Sequence, residues 1–189
     1  MPLVDVWTIS LTEPHTGHDA AVLSPDETAR AARLRFEEDR IRWIRSRAAL
    51  RAILGSYLNQ PAAALRFVTG PHGKPALQPE ARLHFNLSHA GDYALLALCE
   101  DVPVGIDIER VRPKVDIAAL LRRLSETDLP DTVPELFQRW TQREARSKAA
   151  GGELFAAPLT DIVALDITAP EGYAASIACT GSVPRVRYC

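Results

Sequence analysis

Two helix starts divide this chain into segments of the same kind. Ser24-Pro25-Asp26-Glu27 sets a capping hydroxyl, a proline and a glutamate in the order that opens a helix. The serine accepts an early backbone N–H, proline fits the first helical position, and the glutamate reaches back to close a capping box. Thr132, Pro134 and Glu135 repeat the signal later in the chain. Before the first start, Leu3 to Ile9 is rich in Val, Trp and Ile and predicts a strand. After it, helical character runs to about Leu58 with a break near Phe36, and Gly55 and Pro61 mark its end. Val68 to Pro79 holds Gly70, Pro71, Gly73, Pro75 and Pro79 and predicts a loop or turn segment. Leu83–Leu87, Tyr93–Leu98 and Val104–Ile108 then predict a meander of antiparallel strands, with turns at Ala90-Gly91-Asp92 and Glu100-Asp101. Ile117 to Leu124 predicts a short helix. The second main helix runs to about Ala150 and meets Gly151-Gly152, the favoured C-terminal punctuation. Asp161–Ile167 and Tyr173–Cys179 alternate like strands, and Arg185–Tyr188 predicts a last edge. Strand, helix and strands, occurring twice, predict an α+β protein of two similar lobes. The lobes are residues 1–102 and 103–189, with the seam near Asp101–Pro103.

Composition removes several classes of function. A chain of 189 residues suits one domain or two small lobes fused tightly. Its hydrophobic share of 47% and charged share of 24% are those of an ordinary globular protein. The net charge of -2 argues against a surface built for polyanions, so any basic site must be local. Cys99, Cys179 and Cys189 are odd in number and widely spaced, without a CxxC, which argues against a disulfide framework or a zinc site. No apolar run approaches the roughly 20 residues a membrane span needs. Met1 to Ser10 lacks the basic and apolar regions of a signal peptide, so the cytoplasm is the expected compartment.

Five groups of residues carry chemistry. In Val104-Gly105-Ile106-Asp107-Ile108-Glu109, strand alternation sends Asp107 and Glu109 to one face and Ile106 and Ile108 to the other. Paired carboxylates repel unless a proton or cation sits between them. The residues alone allow two solvated acids at a strand end, or a site for a hard divalent cation such as magnesium. In Phe137 to Lys148, positions 137, 140, 144 and 148 follow one helical stripe. Phe137 and Trp140 are expected to anchor it in the core. Glu144 and Lys148 read either as an i,i+4 ion pair or as a third carboxylate and a phosphate-binding lysine. Asn86-Leu87-Ser88-His89 enters a tight turn, where Ser88 and His89 either cap the turn or bind phosphate oxygens. Eight arginines lie between Arg30 and Arg51, with Arg40, Arg47 and Arg51 on one helical face. They form a solvated basic face balanced by Glu37, Glu38 and Asp39, or a phosphate-binding one. Nucleic acid is disfavoured, because only Trp43 offers stacking there and acids interleave the arginines. Gly73-Lys74-Pro75 is a loop lysine between turn formers.

The order of these groups carries more than any one of them. GKP, then FNLSHAGDYALLAL, then VGIDIE, then FQRWTQREARSKAAG resembles the 4'-phosphopantetheinyl transferase superfamily, in its larger, surfactin-synthetase-activator (Sfp) type. The likeness covers about Ser24 to Gly152. It implies two similar α+β lobes related by pseudo-twofold symmetry, each a small antiparallel sheet packed with helices, with coenzyme A in the cleft between them. It implies transfer of the phosphopantetheine arm of coenzyme A to a serine of an apo acyl or peptidyl carrier protein, by a cytoplasmic monomer. Asp107, Glu109 and Glu144 are implied magnesium ligands, with manganese as a substitute, and Glu144 is also the implied base. Lys148, Lys74, Ser88 and His89 are implied coenzyme A contacts, and Arg40 and Arg47 are implied for its 3'-phosphate. The sequence departs from the family at Arg143, where lysine is usual, and at Arg146, where an aromatic or aliphatic residue is usual. The stretch beyond Gly152 is also short for the larger type. The alternative is a degenerate, non-catalytic coenzyme A-binding module.

Overall fold

The computed structural model describes residues 1–14, 19–69, 75–78, 82–112, 130, 132–151 and 161–189. Strand β1 (Leu3–Ser10) is followed by α1 (Pro25–Ala32) and α2 (Glu37–Leu58). Then come β2 (Arg66–Thr69), β3 (Pro75–Gln78), β4 (His84–Ala90), β5 (Tyr93–Cys99) and β6 (Val104–Arg110). Helix α3 (Val133–Ala149) precedes β7 (Ile162–Asp166), β8 (Tyr173–Thr180) and β9 (Arg185–Tyr188). The protein is α+β, and both predicted helix starts are present. Ser24 and Glu27 form the complete capping box of α1. Thr132 Oγ1 accepts the Glu135 N–H at the start of α3. The break between α1 and α2 falls at residues 33–36, and α2 ends at Asn59 in the left-handed conformation. The helix expected at Ile117–Leu124 lies outside the described residues.

Two sheets stack between the helices. The first has the order β4-β5-β1-β9 and the second β6-β8-β7. Strand β5 reads YALLALC, an apolar run without alternation, because both of its faces are covered. Ala94, Leu96 and Leu98 meet Leu50 and Leu54 of α2 in one core. Leu95, Ala97 and Cys99 meet Ile106, Ile108 and Ile177 of the second sheet in another. Each large side chain sealed in this way contributes about 1.5–3 kcal/mol. The layers therefore run helix, sheet, sheet, helix.

Two strand expectations need correction. Strand β6 does not extend a meander from β5; it pairs antiparallel with β8. Its Ile face is needed to cover the second side of β5, which a place beside β5 in the same sheet could not do. The segment expected to be loop from Val68 onward carries strands β2 and β3, paired antiparallel. Pro75 is tolerated there because it is the first residue of a strand in a sheet of two. The first sheet is also mixed, since β9 runs parallel to β1. Arg187 of β9 donates twice to buried Asp5 at 2.7 Å, and Tyr57 of α2 donates to the same carboxylate.

Helix α3 lies against the second sheet through small residues. Ala145, Ala149 and Ala178 form the contact. At Gly105 the approach is closest: a Cβ there would stand 2.1 Å from the Ala145 carbonyl oxygen and 2.4 Å from the Ala149 nitrogen. Both are backbone atoms and cannot turn aside. Gly105→Ala is therefore expected to lower the folding free energy by about 2–3 kcal/mol. Urea unfolding measures it, and a parent-like midpoint would refute the close contact.

Candidate active site

The site forms where the free edges of β4 and β6 meet beneath α3. No strand bond joins these edges. Instead the buried Asn86 side chain accepts the Ile106 N–H at 2.8 Å. Asn86 and Ser88 share a face of β4, so this bond brings Ser88 onto β6 as well. Ser88 Oγ donates to Asp107 Oδ1 at 2.8 Å, and Lys148 Nζ, arriving from the last turn of α3, donates to Ser88 Oγ at 3.1 Å. Lys148 also closes on Asp107 Oδ1 at 2.5 Å. The result is a cleft of about 360 Å³ lined by Ser88, His89, Asp107, Glu109, Trp140, Glu144 and Lys148, with Leu87 and Ile108.

Six of the residues named from the sequence thus come together: Ser88, His89, Asp107, Glu109, Glu144 and Lys148. Lys74 lies outside the described residues. Arg40 and Arg47 are not among the residues lining the cleft. Arg40 pairs with exposed Glu37. Arg47 donates to Glu27 at 2.6 and 2.9 Å and lies over the Phe67 ring, on the α1 side of α2. Trp140 was expected in the core, but it lines the cleft. The buried stripe of α3 is set one position further on, at Phe137, Thr141, Ala145 and Ala149. Small side chains are required against the sheet, and Trp140 stands instead in the cleft wall with Glu109. Lys148 pairs with Asp107 across the fold, a contact the i,i+4 spacing to Glu144 does not suggest.

The electrostatics follow from burial. Asp107 is 3% exposed. Loss of hydration raises its carboxyl above the usual range, although Lys148 and Ser88 pull the other way. Glu109 is raised too, first by burial and then by repulsion from Asp107. Solvent reaches the His89 ring, yet the crowded cleft wall costs the imidazolium its hydration, and the Lys148 charge lowers its pKa further.

One oxygen of Asp107 bears on a metal. Oδ2 is buried and has no hydrogen-bond partner among the described residues. A buried carboxylate oxygen without a donor is costly, and a hard cation is the group that satisfies it. Asp107, Glu109 and Glu144 are of the right donor type and line one cleft. As the side chains stand, no trio of His, Cys, Asp or Glu among the described residues is arranged to hold an ion.

Comparison with known proteins supplies the family. A family model described as 4'-phosphopantetheinyl transferase, N-terminal, matches residues 7–101. The chain is 38% identical to the 4'-phosphopantetheinyl transferase HetI of Nostoc sp., across 88% of this chain and 76% of that protein. The chain belongs to the 4'-phosphopantetheinyl transferase family. It is also 31% identical to a putative 4'-phosphopantetheinyl transferase of Synechocystis sp., over 80% of this chain and 66% of that one. Against the transferase Sfp of Bacillus subtilis the identity is 26%, over 68% and 60%. The chain thus spans about two thirds or less of the length of these last two family members. The family model takes in Ser88 and His89, and Asp107, Glu109, Glu144 and Lys148 follow it in the chain. No helix among the described residues is long and apolar enough to cross a membrane.

Lys148→Ala removes the cation from a buried carboxylate. Asp107 then titrates higher still, so the loss of stability is small in acid, where the carboxyl is protonated. It grows as pH rises through the raised carboxylate range, to about 2 kcal/mol or more at neutral pH. Unfolding of parent and variant across pH measures the difference, and a gap independent of pH would count against the pair.

Proposed function

We propose that this chain moves the phosphopantetheine arm of coenzyme A onto a serine of an apo acyl or peptidyl carrier protein, and that the Asp107 cleft is where it does so. Family membership supports the reaction. The observation that supports the place is the convergence of three carboxylates, a lysine, a serine and a histidine from three separate elements on one cleft. In this reading residues 1–102 and 103–189 are two pseudo-symmetric lobes, and the chain works as a cytoplasmic monomer.

Asp107, Glu109 and Glu144 hold magnesium, or manganese in its place. The ion supplies positive charge against the pyrophosphate of coenzyme A. Lys148 exchanges its contact with Asp107 for a phosphate oxygen, and Ser88 and His89 donate hydrogen bonds to the same phosphates. A phosphate beside His89 opposes the lowering of its pKa, because negative charge nearby favours the imidazolium. Lys74 joins these contacts. Arg40 can turn from exposed Glu37 toward the 3'-phosphate, whereas Arg47 reaches it only by sharing its guanidinium with Glu27.

Glu144 takes the hydroxyl proton of the carrier serine, directly or through a water. The serine oxygen bonds to the β-phosphorus as the bond from that phosphorus to the bridging oxygen breaks. Adenosine 3',5'-bisphosphate leaves with the electron pair. Because the nucleophile comes from another protein, holding both reactants in line is most of the work. Arg143, where the family has lysine, keeps a cation next to Glu144 in the chain.

Intact mass spectrometry of an apo carrier protein, incubated with this chain, coenzyme A and magnesium, tests the reading. One phosphopantetheine group is gained, and EDTA prevents the gain. Asp107→Ala and Glu144→Gln slow the transfer by about a hundredfold or more. Folded variants as fast as the parent would sink the assignment of the cleft.

A further inference from the structure

Below the cleft, α3 is bolted to the second sheet by a chain of hydroxyls. Thr141 Oγ1 and Ser176 Oγ lie 2.8 Å apart, and both residues are fully buried. Ser176 Oγ donates to Asp166 Oδ1 at 2.8 Å, and Gln142 Nε2 donates to the same oxygen at 3.0 Å. The polarity of the chain follows from its end. A carboxylate only accepts, so the single Ser176 proton goes to Asp166. The Ser176 lone pair is then left for the Thr141 proton, which also has its own helix carbonyl at Gln138 within 3.0 Å.

The position of this chain is what gives it consequence. Ser176 is paired with Asp107 in the β6–β8 register, and directly opposed residues project from the same face. Thr141 thus sits on the sheet beside the carboxylate that the cleft is built on. Its neighbours on the same helix are the cleft residues: Trp140 precedes it by one position, Glu144 follows by three and Lys148 by seven. The apolar contact around it is made mostly by small side chains, Ala145 and Ala149 of the helix against Gly105, Ala164 and Ala178, with Ile162 as the one larger residue in that cluster. Such surfaces are smooth, and they let a helix slide or turn by a fraction of an ångström at little cost. A directional bond between two buried hydroxyls does not.

We propose that the Thr141–Ser176–Asp166 chain is the registration device of the site, with Thr141 a positioning residue that aims Glu144 and Lys148 at Asp107. The inference rests on the cleft being the place of transfer. Thr141→Val keeps the shape and loses the hydroxyl, and Thr141→Ser keeps the hydroxyl and loses a methyl. Misplacement of reacting groups acts on the chemical step, so Thr141→Val lowers kcat about tenfold or more. Any rise in the KM for coenzyme A is smaller. Thr141→Ser recovers most of kcat. Ser176→Ala reproduces the valine defect, and the double variant is no worse than Thr141→Val alone, because the groups act as one unit.

A second readout needs no substrate. Trp140 lines the cleft with Glu109, while Trp7 and Trp43 belong to β1 and α2. Tryptophan emission of the ligand-free protein shifts in Thr141→Val and returns in Thr141→Ser. Parent-like kcat and emission in the valine variant overturn the inference. So does an equal defect in both variants, because the retained hydroxyl of Thr141→Ser would then rescue nothing. If the parent itself transfers no arm, the reading of the cleft fails separately, and the ligand-free emission still decides the role of Thr141.

Discussion

The closeness of helix α3 to strand β6 governs the cleft. At Gly105 backbone meets backbone, with no room for a Cβ between the strand and the Ala145 carbonyl. The short reach this creates lets the side chain of Lys148 arrive at Asp107 from the far end of the helix. It also excludes water from Asp107, and loss of hydration is the first cause of its raised pKa. The glycine, the alanines and the odd titration of the carboxylate are one feature seen at three levels. Packing brings the helix down, and burial then changes the chemistry of the group beneath it.

The sequence displays some of this and hides the rest for physical reasons. Local signals were legible: both capped helix starts, the break before α2, and the alternation that puts Asp107 and Glu109 on one face of β6 depend on neighbours along the chain. The six residues that meet in the cleft were legible through resemblance and motif order. Pairing between strands was not, since nothing near Val104 states that its partner lies at Cys179. Yet the clue was present in Tyr93–Cys99. An apolar run without alternation needs cover on both faces, and only a second sheet can supply it when a helix already occupies the first. The stripe of α3 was misplaced by one residue because Trp140 looks like core. Its size excludes it from a contact that admits only small side chains, and it lines the cleft instead. Thr141 and Ser176 were invisible, because a hydroxyl on a helix announces nothing until its partner on another strand is known.

The arginines show how poorly a charge count measures a surface. Eight of them crowd the first helical region, and the structure divides their work. Arg51 is fully buried, bonding Glu27 and the carbonyls of Ala62 and Leu65. Arg47 shares Glu27 with it, and both guanidinium groups lie over Phe67. Glu27 is itself the glutamate of the capping box, so one carboxylate opens α1, anchors α2 and neutralises two cations. Arg42 reaches Asp92 in the β4–β5 turn and ties α2 to the edge that carries Ser88. Part of what reads as a basic face is therefore internal mortar, which weakens any reading as a nucleic-acid surface.

The charge inventory of the cleft bears on the order in which its ligands can enter. Among the described residues that line it, Asp107, Glu109 and Glu144 face one lysine, Lys148. Lys148 meets one oxygen of Asp107, and the other has no donor among the described residues. A pyrophosphate brought into such a cleft by itself would meet three acids and would strip Lys148 from the one it neutralises. That is unfavourable twice over, once through repulsion and once through a newly uncompensated buried carboxylate. Added positive charge on the Asp107 Oδ2 side removes both penalties, because it frees Lys148 to follow the phosphate. On the proposed function, cation and coenzyme A therefore bind with positive coupling, and Lys148 is the side chain that transmits it.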